Sequence, residues 1–141
     1  MANAIYNKAK YKWMAPGTLG ITSGDSIDLI DDTIKIALID TGTYTFSQTH
    51  EYWSSASGSI VGSAVTLGTK TVTDNVFDAA DATFTSVSGV SVEALIIYKD
   101  TGTASTSPLI AYIDVAASGL PVTPNGGNIT VQFNASGIFA L

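Results

Sequence analysis

Two aspartates in a repeated setting are the residues best placed to do chemistry. Asp40-Thr41-Gly42-Thr43 follows the apolar run Ile36-Ala37-Leu38-Ile39, and Asp100-Thr101-Gly102-Thr103 follows Leu95-Ile96-Ile97-Tyr98-Lys99. Asp-Thr-Gly after a strand is the setting of acid-peptidase chemistry, in which two carboxylates share one proton because like charges about 3 Å apart cannot both ionise. The two copies lie only 60 residues apart, which is too short for the two-lobed form of that chemistry, although a dimeric form would need one copy. The competing reading is turn chemistry, with Asp accepting from backbone N–H groups ahead of it and Gly taking a conformation other residues resist. The turn is the expectation.

The other chemical candidates are thinner. A Ser-His-Asp hydrolase would have to use His50, the single imidazole, and no Gly-x-Ser-x-Gly elbow accompanies it: Gly89-Val90-Ser91-Val92-Glu93 fails at its last position. His50, beside Glu51, Tyr52 and Trp53, reads as a structural or interface side chain. Asp25, Asp28, Asp31 and Asp32 cluster, as do Asp74, Asp78 and Asp81, and carboxylates suit hard cations. Neither group fits the twelve-residue calcium loop, so solvated acidic loops are expected, with a weak calcium site as the alternative. No Walker-type loop occurs and no Gly-x-Gly-x-x-Gly opens a helix. The expectation is therefore a chain without catalytic, cofactor-binding or metal-binding residues, and without a cofactor.

Composition narrows the partners. The chain has 141 residues, 45% hydrophobic and 13% charged, with 12 acids against 6 lysines and no arginine or cysteine. A net charge of -6 opposes a surface built to neutralise phosphates, and the missing guanidinium removes the commonest bidentate fork for phosphates and guanine edges. No direct nucleic-acid binding is expected. No stretch approaches the ~20 apolar residues of a membrane-spanning helix, so no membrane partner is expected either. Lacking cysteine, the chain reveals nothing of its redox compartment. The opening residues lack a secretory-length apolar run, which predicts no cleaved signal and gives the triplets at Asn128 and Asn134 no weight as glycosylation sites.

These residues must be positioned by short strands. From Thr33 onward, β-branched and aromatic runs alternate with Gly, Pro, Asn, Asp, Ser and Thr, predicting strands near Thr33–Asp40, Ser59–Leu67, Lys70–Thr73, Ala82–Val87, Val92–Lys99, Leu109–Asp114, Asn128–Phe133 and Ile138–Leu141. Eight short strands without intervening helical periodicity predict an all-β, antiparallel β-sandwich of jelly-roll or Greek-key type. Alternation places Ile36, Leu38, Phe84, Leu95, Ile97, Leu109, Ala111, Ile113, Ile129, Val131 and Phe133 in its core. A further helical turn is possible at Thr49–Ser55 with Thr49 as cap, and Asn125-Gly126 suits a primed hairpin turn between the last strands.

Ahead of the sandwich, expected over 21–141, residues 1–20 form a helix or arm. Ile5, Ala9 and Trp13 recur at helical spacing up to the Pro16-Gly17 breaker. Lys8, Lys10 and Lys12 make this stretch +3, and three lysines against twelve acids leave the remainder at -9. Either the helix packs on its own domain, or it docks on an acidic neighbour with Ile5, Tyr6, Tyr11 and Trp13 as anchors; Trp53 is added as an interface candidate.

The strings Asp31-Asp32-Thr33-Ile34-Lys35-Ile36-Ala37-Leu38-Ile39-Asp40-Thr41-Gly42-Thr43-Tyr44-Thr45-Phe46 and His50-Glu51-Tyr52-Trp53 resemble a small virion protein widespread in tailed bacteriophages. The run from Val92 to Thr103, Ser107-Pro108-Leu109-Ile110-Ala111-Tyr112-Ile113-Asp114, the run from Gly119 to Gly127 and the closing Phe139-Ala140-Leu141 are similar to the same group. Ser57–Ala64 and Ile21–Gly24 depart from it. The resemblance implies a non-enzymatic structural protein on the virion capsid surface, a decoration or cement protein that bridges major capsid subunits. It also implies a homo-oligomer, with a trimer favoured. A tail or baseplate component is the alternative within that class. Outside it stands a carbohydrate- or receptor-binding β-sandwich module using Trp13, Trp53, Tyr44 and Tyr52 as stacking surfaces.

Overall fold

The computed structural model describes residues 3–14, 26–114 and 119–141. Asp25, the Pro16-Gly17 breaker, the Ile21–Gly24 string and the expected boundary between residues 20 and 21 lie outside them. In chain order the elements are β1 (Ala4–Ile5), α1 (Asn7–Met14), β2 (Ile34–Ile39), β3 (Ile60–Thr66), β4 (Thr71–Thr73), β5 (Val76–Asp78), β6 (Ala82–Phe84), β7 (Ala94–Lys99), β8 (Leu109–Ile113), β9 (Ile129–Val131) and β10 (Phe139–Ala140). The described residues are thus all-β, as the punctuated runs predict, with one short α-helix among them. Its strands form a five-stranded antiparallel sheet in the order β1-β8-β7-β2-β3, a three-stranded sheet β10-β5-β4 and the pair β6-β9. Two antiparallel neighbours, β2–β3 and β7–β8, are joined through β2–β7; this order is what the structure establishes beyond the all-β class.

The register explains the core. Ile36 lies opposite Ile97, Leu38 opposite Leu95, and Ile97 opposite Ala111, so these side chains share one face. Ile129 and Val131 line one crevice with Leu38 and Leu95, and Ile138 and Phe139 line another with Ala111 and Ile113, so the two smaller sheets cover that face. Seven of the expected core residues, Ile36, Leu38, Phe84, Leu95, Ile97, Leu109 and Ala111, are buried, while Ile113, Ile129, Val131 and Phe133 are half-buried against them.

The opposite face corrects the alternation reading. Ala37, Ile39, Ala94, Ile96, Tyr98, Ile110 and Tyr112 are buried too. They are covered by the connection from Asp40 to Ser59, whose Trp53 ring stacks on Tyr98 at 4.3 Å and 4° and whose Phe46 ring lies 4.5 Å from Tyr112. A strand buried on both sides needs no polar alternate, which is why Ile-Ala-Leu-Ile and Leu-Ile-Ile-Tyr run unbroken.

Local chemistry accounts for the remaining departures. The connection forms only short 3-10 turns at Trp53–Ser55 and Ser57–Ser59, and Tyr52, not Thr49, precedes the first. Thr49 instead bonds Ser47. Asp74, at φ +56, turns β4 into β5, a strand the sequence reading missed. The side chain of Asn125 accepts from the Gly127 N–H, and the backbone of Gly126 and Gly127 pairs with Val87. That segment therefore aligns β9 with β6 instead of making a primed hairpin between the last strands. In β3, four steps from Val61 to Val65 face two steps of β2, a bulge passing through Gly62 at φ +74, which suits a residue without Cβ.

Candidate functional site

The two Asp-Thr-Gly segments end neighbouring antiparallel strands, so they sit at opposite ends of them. Ile34 pairs with Lys99 and Ile39 with Ala94, which puts Asp40 and Asp100 about 24 Å apart at ~3.4 Å per residue. Within one chain the two carboxylates share no proton. Each is an Asx turn: the Gly42 N–H donates to Asp40 Oδ1 at 2.7 Å and the Gly102 N–H to Asp100 Oδ1 at 2.9 Å. Lys35 bridges Asp100 at 2.7 Å and, with the Gly102 N–H, holds its carboxyl below the usual range. Beside Asp40, Glu93 accepts from the Ser91 hydroxyl and from the N–H and hydroxyl of Thr41, and these bonds lower its pKa in the same way.

His50 belongs to a chain of rings. Its Nδ1 is 2.9 Å from the Tyr44 hydroxyl, which in turn lies 2.9 Å from the Tyr6 hydroxyl. Tyrosine, not serine, occupies that ring nitrogen. Burial, then the mutual hydrogen bond, pushes Tyr6 upward, and burial does the same to Tyr44, so both stay neutral donors at ordinary pH. The acidic clusters are likewise engaged by the backbone. Asp28 accepts from the N–H groups of Ile30 and Asp31, which lower its pKa; Asp32 accepts from the Asp28 N–H and bridges Lys99 at 3.0 Å. Asp78 accepts from the Ala79 N–H and Asp81 from the Phe133 N–H. Among the described residues no group of three or more His, Asp or Glu could hold a metal ion.

Of the two forms expected for residues 1–20, the described part takes the helix. Its strand β1 pairs with β8, the Tyr6 N–H donates to the Ile110 carbonyl, and the Asn7 N–H donates to the Gln48 carbonyl. Because Ile5 is held in β1, the buried stripe is Tyr6, Ala9 and Lys12, not Ile5, Ala9 and Trp13. The interface candidates fare unequally. Tyr6 is fully buried and Trp53 nearly so, leaving neither a surface to offer; Ile5, Tyr11 and Trp13 are half-buried, with Trp13 tilted on Phe139 at 6.3 Å.

Lys12, counted in the sequence as one of three charges on a basic arm, is an internal residue. It is buried, pairs with Glu51 at 2.9 Å and lies 5.0 Å over the Tyr52 ring. Its only foreshadowing is its place three residues after Ala9 and six after Tyr6, on one helical face. Lys8 and Lys10 remain exposed. Beside Lys10, an open crevice of about 540 Å³ is walled by Ile5, Trp13, Met14, Ala140 and Leu141. Met14 is 78% exposed and Leu141 56%, so this opening presents apolar surface with a cation beside it.

Among the described residues no helix is long and apolar enough to cross a membrane. No model of a known protein family matches the chain, and no curated protein matches it.

Proposed function

We propose that this chain is a non-enzymatic structural subunit of a tailed-phage particle, a decoration or cement protein on the capsid surface. It bridges neighbouring major capsid subunits and assembles with copies of itself, a trimer being favoured. The observation that carries this reading is where the polar side chains are spent. Asp40 and Asp100 close turns, Glu93 ties Thr41 to Ser91, and His50 takes the Tyr44 hydroxyl. What is left outward is contact chemistry: lysines, acids and a few large apolar side chains on a doubly covered sheet. The resemblance of the Asp31–Phe46 and Val92–Thr103 strings to phage virion proteins supports the same role. Of the four rings of the sugar-stacking alternative, Trp53 stacks inward on Tyr98 and Tyr44 is 3% exposed, which leaves it the half-buried Trp13 and Tyr52.

Quantitative mass spectrometry of purified particles tests the reading. A decoration role expects the chain at a fixed ratio to the major capsid protein, and expects particles lacking it to release DNA at a lower temperature. A handful of copies per particle moves the protein to the tail, and absence from particles overturns the proposal.

A further inference from the structure

Deepening that reading, we infer that the crevice beside α1 is filled by the Asp28–Asp31 turn of a second copy of the chain. The crevice is apolar, framed by Trp13, Met14 and Leu141, with Lys10 at its rim. Lys10, Trp13 and Met14 are related by i, i+3 and i+4 and share one side of α1. The occupant that fits is an aliphatic side chain carried between carboxylates.

The chain presents that group. Ile30 is 44% exposed and stands between Asp31 and, two residues back, Asp28, both exposed. The other large apolar side chains exposed elsewhere on the body, Val72 and Val90, have no charged immediate neighbour. The turn is also rigid. Asp28 receives the N–H groups of Ile30 and Asp31, Asp32 receives that of Asp28, Lys99 ties Asp32 and the Ser26 carbonyl, and Lys70 ties the Asp32 carbonyl. Leu29 is buried beneath it, so Ile30 is held outward. A preorganised knob of this kind loses little conformational freedom on docking.

Crevice and knob lie apart on the molecule. The crevice borders β1, the outer strand of the main sheet, whereas the knob sits at the Lys99 end of β7, two strands inward. Contact between two copies therefore joins two different patches, which pair reciprocally about a two-fold axis or run head-to-tail into a ring such as a trimer or into a chain. Charge steers the docking, and burial of the exposed Ile30 and Met14 side chains against the partner copy holds it.

Light scattering coupled to size exclusion, run on the purified full chain over a range of concentration and salt, tests the inference. The wild type is expected to rise above its 14.6 kDa protomer mass with concentration. Lys10→Glu or Asp31→Lys alone should weaken association by about tenfold, and the two combined should restore it. Met14→Ser and Ile30→Ser should each give monomers, yet their mixture should form a one-to-one dimer, because one intact crevice meets one intact knob. Circular dichroism on each variant reports folding; if a serine variant misfolds, the charge-swap pair decides. A wild type that stays monomeric throughout, or a charge swap without rescue, overturns the inference. Co-sedimentation with particles is scored separately: association without particle binding sinks the virion reading and leaves this one standing.

Discussion

Replacing Glu51 by alanine removes the partner of a lysine that has almost no access to water. The Lys12 side chain is 1% exposed and Glu51 32% exposed, with 2.9 Å between Nζ and Oε1. Breaking a fully buried pair costs about 3–5 kcal/mol because the surviving charge is stranded, whereas an exposed pair contributes about 0–1 kcal/mol. Glu51 is one-third open to solvent, so the expected cost lies between these limits, at about 2–3 kcal/mol. The Tyr52 ring, 5.0 Å from the ammonium, is present in both proteins and does not change the difference. For a chain of this size each kcal/mol moves the melting temperature by roughly 3–5 °C, so Tm should fall by about 6–15 °C. Urea titration at low and moderate salt should give nearly the same loss, since the Lys12 ammonium is out of reach of solvent ions and the pair is screened little. Lys12→Met combined with Glu51→Leu should recover the wild-type value or exceed it, because an apolar pair of similar volume carries no desolvation penalty. A Glu51→Ala loss below about 0.5 kcal/mol would refute the argument, and a double variant as unstable as the single would assign the effect to packing instead of charge.

Leu38→Ala, in a strand buried on both faces, should lower stability by ~2–5 kcal/mol, read as a lower urea midpoint at unchanged slope. Gly137→Ala should cost about 1–3 kcal/mol, since φ is +108 and a Cβ would collide with Val76 and crowd the Phe77 carbonyl at 3.2 Å; a neutral melt would show that the β10 approach relaxes freely. Alkali should unfold the sheet from one side of the pH scale. Burial pushes Tyr98 and Tyr112 up to about 12, against ~10 in an unfolded chain, so the folded state holds their protons more tightly. Stability is then whole below about pH 10 and lost as pH climbs toward 12. Tyrosinate absorbance from these residues should appear together with the loss of β-sheet dichroism, and ionisation well before unfolding would contradict their burial.

Strand existence was legible because β-branched runs bounded by Gly, Asn, Asp and Pro have few other local solutions. Burial was legible only in part. Alternation selects one face, and Ile-Ala-Leu-Ile offers two apolar faces, so the residues facing the Asp40–Ser59 connection were not distinguished from a solvent side. That connection has little periodicity of its own, and its place over the sheet is fixed by tertiary contacts such as Trp53 on Tyr98, which no local pattern encodes. Val76–Asp78 was missed because three residues are too few to show a period. The Asp-Thr-Gly turns were legible from chemistry alone, since the Asx bond spans two residues. Lys12 was misread for the opposite reason. Its charge marks it as surface by type, and only Glu51, 39 residues away, makes its burial tolerable.

Residues 3–14 act as a keystone between the layers. Tyr6 bonds Tyr44 and Lys12 bonds Glu51, both in the connection that covers one face of the main sheet. On the other side Trp13 leans on Phe139, which itself contacts Phe77 at 5.2 Å in the smaller sheet covering the opposite face. The strand β1 joins the same segment to the sheet between them. A load applied at Lys10 and Met14 is therefore passed to three layers through hydrogen bonds, an ion pair and ring contacts, not through a flexible tether. This is a mechanical argument for placing an intersubunit contact there. Deleting residues 1–16 would remove the proposed contact and the keystone together, taking away the strand paired with β8 and the partners of Tyr44 and Glu51 at once. Point changes at Lys10 and Met14, whose side chains face outward, separate binding from folding where truncation merges them.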